Sequence, residues 1–134
     1  MIPKFRVWEH DVKFMNDQVR ITYNRFRGNK IFVEVTEGVG WKDVDEKYLM
    51  QSTGLHDKNG KEIFEGDVVK VSQDDDYFIS FVKNMIEFDY PGFDVPFPDD
   101  WNYECNVLSY LMNTDQTIEV IGNIHEHPEL LENI

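Results

Sequence analysis

Residues 53–71 read TGLHDKNGKEIFEGDVVKV, and their turn chemistry decides the fold class. Asp57-Lys58-Asn59-Gly60 lies between Leu55 and the apolar pair Ile63-Phe64. Asn and Gly tolerate positive φ at small cost, so this spacing predicts a tight hairpin. Gly66-Asp67 predicts a second turn, after which Val68, Val69 and Val71 form a run dense in β-branched side chains, the mark of a strand. Two turns so close together around short strands are what small β-barrels use to curl a sheet. Asp57, Asn59, Gly60, Gly66 and Asp67 are therefore expected to be structural turn residues.

Outward toward the start of the chain, residues 3–9 (PKFRVWE) alternate apolar and polar up to Trp8 and predict a first strand. Residues 12–15 and 19–23 continue the pattern on either side of Asn16-Asp17, which predicts a hairpin there. Gly28-Asn29 turns the chain into a strand over 31–36. Gly38 and Gly40 bracket Val39, and 42–47 is too polar to read as a strand; both are expected in a loop. Apolar character returns at 48–51.

Outward in the other direction, Asp74-Asp75-Asp76 predicts a turn leading into strands over 77–81 and 85–88. Residues 89–100 (DYPGFDVPFPDD) hold Pro91, Pro96 and Pro98, which remove backbone donors and fix φ, so a long loop is expected. Residues 101–112 fit a helical face through Val107, Leu108, Leu111 and Met112 and fit a strand equally well. A strand over 118–124 and one or two helical turns over 128–133, with Pro128 near the first helical position, complete the pattern. The expected class is mainly β, with α+β as the alternative: a short-strand meander plus a small SH3-like or β-barrel-like unit and a short C-terminal helix. A single domain over 1–134 is expected, with a possible subdivision into 1–47 and 48–134.

A chain of 134 residues, 41% hydrophobic and 14% aromatic, has enough apolar volume to offset the entropy of ordering its backbone. Cys105 is the only cysteine, so no intrachain disulfide is expected. No run approaches the roughly 18 apolar residues of a membrane span, and a cytoplasmic location is expected. The net charge of −13 is unevenly placed. All 13 Lys and Arg lie at or before Lys83; residues 84–134 carry 11 acidic and no basic side chains, while residues 1–30 carry seven basic and three acidic. Such polarity disfavours phosphate contact by the C-terminal part and favours cationic partners or another copy bound head to tail.

The run over 50–71, the later EVIGNIHEHPELL over 119–131 and the opening KFRVWE over 4–9 resemble the YopX family of phage and prophage proteins, in the family's order. The resemblance implies a mostly β fold, a mobile-element origin and a bacterial cytoplasmic setting, and it implies no activity. Where the family reads IYENPEL, this chain has His125 and His127 in the Tyr and Asn places.

No catalytic set, cofactor, metal or small-molecule substrate is expected. His125 and His127 could share one face of a strand as metal ligands, yet no spacing supplies a third. Asp57, Asn59 and Gly60 imitate part of a calcium loop whose first and twelfth positions would be Leu55 and Gly66, where carboxylates are required. Asp74 to Asp76 suit a solvated turn better than a cation site. Cys105 lacks a nucleophile's signature, and Gly38 with Gly40 lacks a dinucleotide site's third glycine. The acidic, aromatic loop over 88–104 is the candidate interaction surface, through Phe93, Asp94, Phe97, Asp99, Asp100, Trp101 and Glu104. The expected function is that of a non-enzymatic interaction or self-assembling protein with a homo-oligomeric, host or phage partner. Two alternatives are a DNA mimic that blocks a host nuclease or DNA-binding protein, and a nucleic-acid binder using Arg6, Arg20, Arg25 and Arg27.

Overall fold

The computed structural model describes residues 3–28, 30–86, 92–96, 108 and 116–132. They form two compact units, residues 1–51 and 52–134. The chain is mainly β, and the helical segments among the described residues are short.

In the first unit, β1 (Phe5–Glu9) pairs antiparallel with β2 (Phe14–Asn16), placing Trp8 opposite Met15. β3 (Val19–Asn24) pairs with β4 (Lys30–Val35), and β4 with β5 (Lys42–Val44). The expected hairpin around Asn16-Asp17 does not form, because β2 pairs back onto β1 and β3 pairs forward onto β4. Asn16 turns its side chain inward instead: its Oδ1 accepts from the Gln18 N–H, and its Nδ2 donates to Glu9 and to the Thr36 carbonyl. Polar 42–47 does contain a strand. β5 is a three-residue edge, where charged side chains are tolerated because only one side of the strand is paired. The apolar centre of this unit is small: Val7, Val33 and Val35 are buried, with Val19, Val44, Tyr48 and Leu49 packed on them.

β6 (Leu49–His56) passes through the boundary between the units; its first residues pair with β1 in the first unit and its last with β7 (Glu62–Phe64) in the second. Gly54 sits at φ 77 in the register shift between Ser52 and His56, a conformation that costs glycine little.

The second unit is built on β8 (Asp67–Gln73), which lies between β9 (Asp76–Phe81) and β12 (Thr117–Asn123) in an antiparallel sheet. Val69, Val71, Phe78, Ile118 and Val120 from its strands join Ile63, Val82, Val95 and Leu108 in one buried cluster. The turns at 57–60 and 66–67 and the strands following 67, 76 and 117 stand where the sequence places them. The strand expected at 85–88 does not: β10 (Lys83–Asn84) pairs with β11 (Phe93–Asp94), and 87–88 lie outside the described residues. Pro128–Leu131 forms a single 3-10 turn with proline at its start.

Asp57 secures this unit. It is 7% exposed; its Oδ1 accepts the N–H groups of Asn59 and Lys61 at 2.9 Å each, and its Oδ2 accepts that of Val120 at 2.9 Å. Burial pushes its carboxyl up, but the three N–H donors and the Lys61 charge outweigh this and hold it below its ordinary 3.8. Asp57→Ala should cost about 2–4 kcal/mol, the sum of lost charge-assisted bonds and stranded buried donors. Asp57→Asn should lie between, since one acceptor oxygen serves either the turn or Val120. Because the folded carboxyl is the more acidic, its stabilisation is complete above the ordinary value and disappears as pH falls through the lowered one. Urea unfolding of wild type and Asp57→Ala against pH checks this: the two curves should converge in acid, and a constant gap down to low pH contradicts the assignment.

Candidate functional site

The β3–β4 hairpin presents two unlike faces. Val19, Ile21 and Tyr23 stand opposite Val35, Val33 and Ile31. Near the base this apolar row enters the core, but toward the tip it emerges, with Ile21 39%, Tyr23 65% and Ile31 62% exposed. The connection is a 3-10 turn over Arg25–Arg27 that raises Phe26 to 87% exposure, and Gly28 at φ 86 returns the chain to β4. Of the ten exposed large hydrophobic residues among those described, eight lie in the first unit. A groove of about 540 Å³ runs beside Ile31, between the start of β4 and the end of β5, with Asp43, Val44 and Glu46 on its far wall.

The opposite face of the hairpin is closed on itself. Arg20 grips Glu34 with two donors, Nε at 3.0 Å and Nη2 at 3.3 Å, and lies 4.2 Å over the Trp41 ring. Arg25 lies 5.0 Å from the Phe26 ring, and neither Arg25 nor Lys30 makes an ion pair among the described residues. Of the basic set singled out in the sequence, Arg20 is thus engaged, Arg6 has a buried Nε, and the Arg27 side chain lies outside the description.

A second feature of this unit escaped the sequence reading. Glu9 is 3% exposed, and Lys42 Nζ lies 3.1 Å from its Oε1 and 2.9 Å from Asp11 Oδ2, while Asn16 donates to Glu9 Oε2 at 3.0 Å. A buried carboxylate without a cation would be costly, and this cluster supplies one. The hydrogen bond from Lys42 holds the Asp11 carboxyl below its ordinary range, and those bonds to Asp11 and then Glu9 hold the Lys42 ammonium above its own. Glu9 and Lys42 line a cavity of about 350 Å³ together with Val12, Val39 and Trp41. One ammonium faces two carboxylates here, and Trp41 already carries Arg20, so the cavity is an amphipathic slot.

Of the residues expected at the interaction loop, Phe93 and Asp94 are described. Phe93 is half-buried and packs on the second unit's core, and Asp94 is 8% exposed opposite Lys83. Burial raises the Asp94 carboxyl, the Lys83 charge partly opposes this, and its Oδ1 finds no hydrogen-bond partner among the described residues. Phe97, Asp99, Asp100, Trp101 and Glu104 lie outside the described residues, as does Cys105. Asp57, Asn59, Gly60, Gly66 and Asp67 form the turns described above, with Asp67 accepting the Phe64 N–H at 2.8 Å. Asp74, Asp75 and Asp76 are exposed at the β8–β9 turn, beside Tyr77 at 58% exposure. His127 Nδ1 accepts the Asn123 N–H at 3.3 Å, and a Cβ on Gly122 would come within 2.7 Å of that nitrogen. The imidazole is packed into the bulge of β12. No group of three metal-ligating side chains occurs among the described residues, nor any helix long and apolar enough to cross a membrane.

What the geometry defines is a mainly β chain of two units, one carrying an apolar-tipped, basic hairpin and the other most of the acid. The model of the YopX protein family matches residues 4–132, and the chain belongs to the YopX family. The crystal structure of protein EF1440 from Enterococcus faecalis is similar at 31% identity, covering 98% of this chain and 99% of that one, with a TM-score of 0.59. That of protein YopX from Bacillus subtilis is similar in fold at 22% identity, with coverages of 96% and 98% and a TM-score of 0.62. No curated protein matches.

The buried pair makes a direct test. Lys42→Ala should lower the urea midpoint, because Glu9 loses its cation, and adding Glu9→Gln should restore part of the loss. The Lys42 contribution is complete below 10.5 and fades as pH rises through its raised folded value. Equal midpoints for Lys42→Ala and the double variant would show that the two charges are not coupled.

Proposed function

We propose that this protein is a non-enzymatic, phage-derived interaction module acting in the bacterial cytoplasm, with the β3–β4 hairpin of its first unit as the contact surface. The observation that carries the reading is the exposed apolar group of Ile21, Tyr23, Phe26 and Ile31 on a hairpin whose tip also carries exposed Arg25 and Lys30. Aromatic and aliphatic anchors beside cations are the composition of contact centres between proteins. Membership of the YopX family supports the phage origin, since the sequence resemblance implies a mobile-element source. Affinity capture from the producing bacterium should recover a defined protein set, the chain itself included, that is lost with Tyr23→Ser/Ile31→Ser; equal recovery by a folded variant sinks the reading.

A second reading has its own observation. The first unit has nine basic and eight acidic side chains, a net of +1, and the second four and eighteen, a net of −14. A unit so charged, with Asp74, Asp75, Asp76, Glu126, Glu129 and Glu132 exposed, could imitate a phosphate backbone and occupy a DNA-binding protein. Competition with duplex DNA for such a protein is the measurement. Indifference to neutralising Asp75, Asp76, Glu126 and Glu129 removes this reading; Asp94, being buried, displays no charge for it.

A further inference from the structure

We infer that the occupant of the β3–β4 hairpin is the acidic second unit of another copy of this chain, bound head to tail; this rests on the contact surface proposed above and names its partner. The hairpin and its turn, residues 19–31, hold Arg20, Arg25, Arg27 and Lys30 and no acidic residue. Arg20 is bound to Glu34 on the closed face, so Arg25 and Lys30, at the tip of the hairpin, are its described cations without an ion pair. A complementary surface must therefore be acidic and must offer apolar or aromatic groups. The second unit meets both demands: its net charge is −14, and its β8–β9 turn exposes Asp75 and Asp76 next to Tyr77. Asp43 and Glu46 on the far wall of the groove reverse the sign there, which confines an acidic partner to the hairpin side and fixes its approach.

A nucleic acid is the competing occupant, since Tyr23 and Phe26 are exposed rings on which a base can stack; against it stands charge, because phosphates approaching a chain of net charge −13 meet repulsion. A head-to-tail contact joins unlike surfaces, so it propagates into a ring or an open string of copies rather than stopping at a two-fold dimer.

The test uses the full chain in sedimentation velocity over a range of concentrations, at about 0.05 M and about 0.5 M salt. Wild type should associate at low salt and weaken at high salt. Two charge-reversed variants, Arg25→Glu/Lys30→Glu and Asp75→Lys/Asp76→Lys, should each associate at least about tenfold more weakly. An equimolar mixture of the two should regain association, because each supplies the surface that matches the other's reversed one. All changed positions are exposed, and circular dichroism confirms folding. Wild type that stays monomeric throughout overturns the inference, as does a mixture that fails to recover. If the monomer still captures a protein through the hairpin, the contact-surface reading survives without this partner; if it captures none, both fall. Binding of a single-stranded oligonucleotide that Arg25→Glu/Lys30→Glu abolishes also overturns the inference.

Discussion

The carboxylate of Asp57 is the constraint on which the second unit depends. Its three backbone donors include two neighbours in the turn and Val120, which lies 63 positions later in the chain. One side chain thus closes a hairpin and clamps the last strand to it. Around that clamp Lys58 donates its N–H to Ile118, Ile124 to Gly66, and Gly66 to Val82, so the two turns and the C-terminal segment are hydrogen-bonded into one frame. The frame places Ile118 and Val120 against Ile63, Val69 and Val71. A polar contact therefore sets the register in which the apolar contacts are made, and burial of about 1.5–3 kcal/mol per large aliphatic side chain follows from it.

The first unit solves the same problem with less apolar material. Three buried valines form its centre, and the strands around them are joined through the Glu9, Asn16 and Lys42 cluster, where one buried carboxylate accepts from β2 and from β5. That arrangement spends polar groups on cohesion and leaves Tyr23, Phe26 and Ile31 outside. The exposed apolar tip of the hairpin is the counterpart of a thin core: the β3–β4 ladder extends beyond the point where the rest of the unit can cover it.

What could be read from the sequence was whatever is encoded locally. Gly60 and Gly66, at φ 81 and 82, announce their turns because few other residues take those backbone angles cheaply, and alternation marks β3 and β4 as strands. Alternation does not say which strand pairs with which, so the Asn16-Asp17 break read as a hairpin although β2 turns back to β1. Nor does a polar run exclude an edge strand, as β5 shows. Glu9 and Lys42 are 33 positions apart, and no local pattern marks an acid in β1 as buried. The acidic loop drew attention by composition, yet Phe93 and Asp94 face inward, while the exposed hairpin row looked like ordinary strand sequence until its burial was known.

Of the three blocks that carry the family resemblance, two, 50–71 and 119–131, supply Asp57, Lys58, Gly66, Val120 and Ile124 to the Asp57 frame, with Ile118 just before the second. Val120 and Ile118 meet Asp57 and Lys58, and Glu119 lies 3.6 Å from the Lys58 ammonium. His127 accepts from Asn123 inside the same frame. A signature made of mutually bonded structural residues identifies a fold and is silent about activity. Outside the frame lie Arg25 and Lys30 at the hairpin tip of the first unit and the exposed carboxylates of the second. Those two sets have opposite sign, and they occur in one chain whose charge is divided +1 against −14.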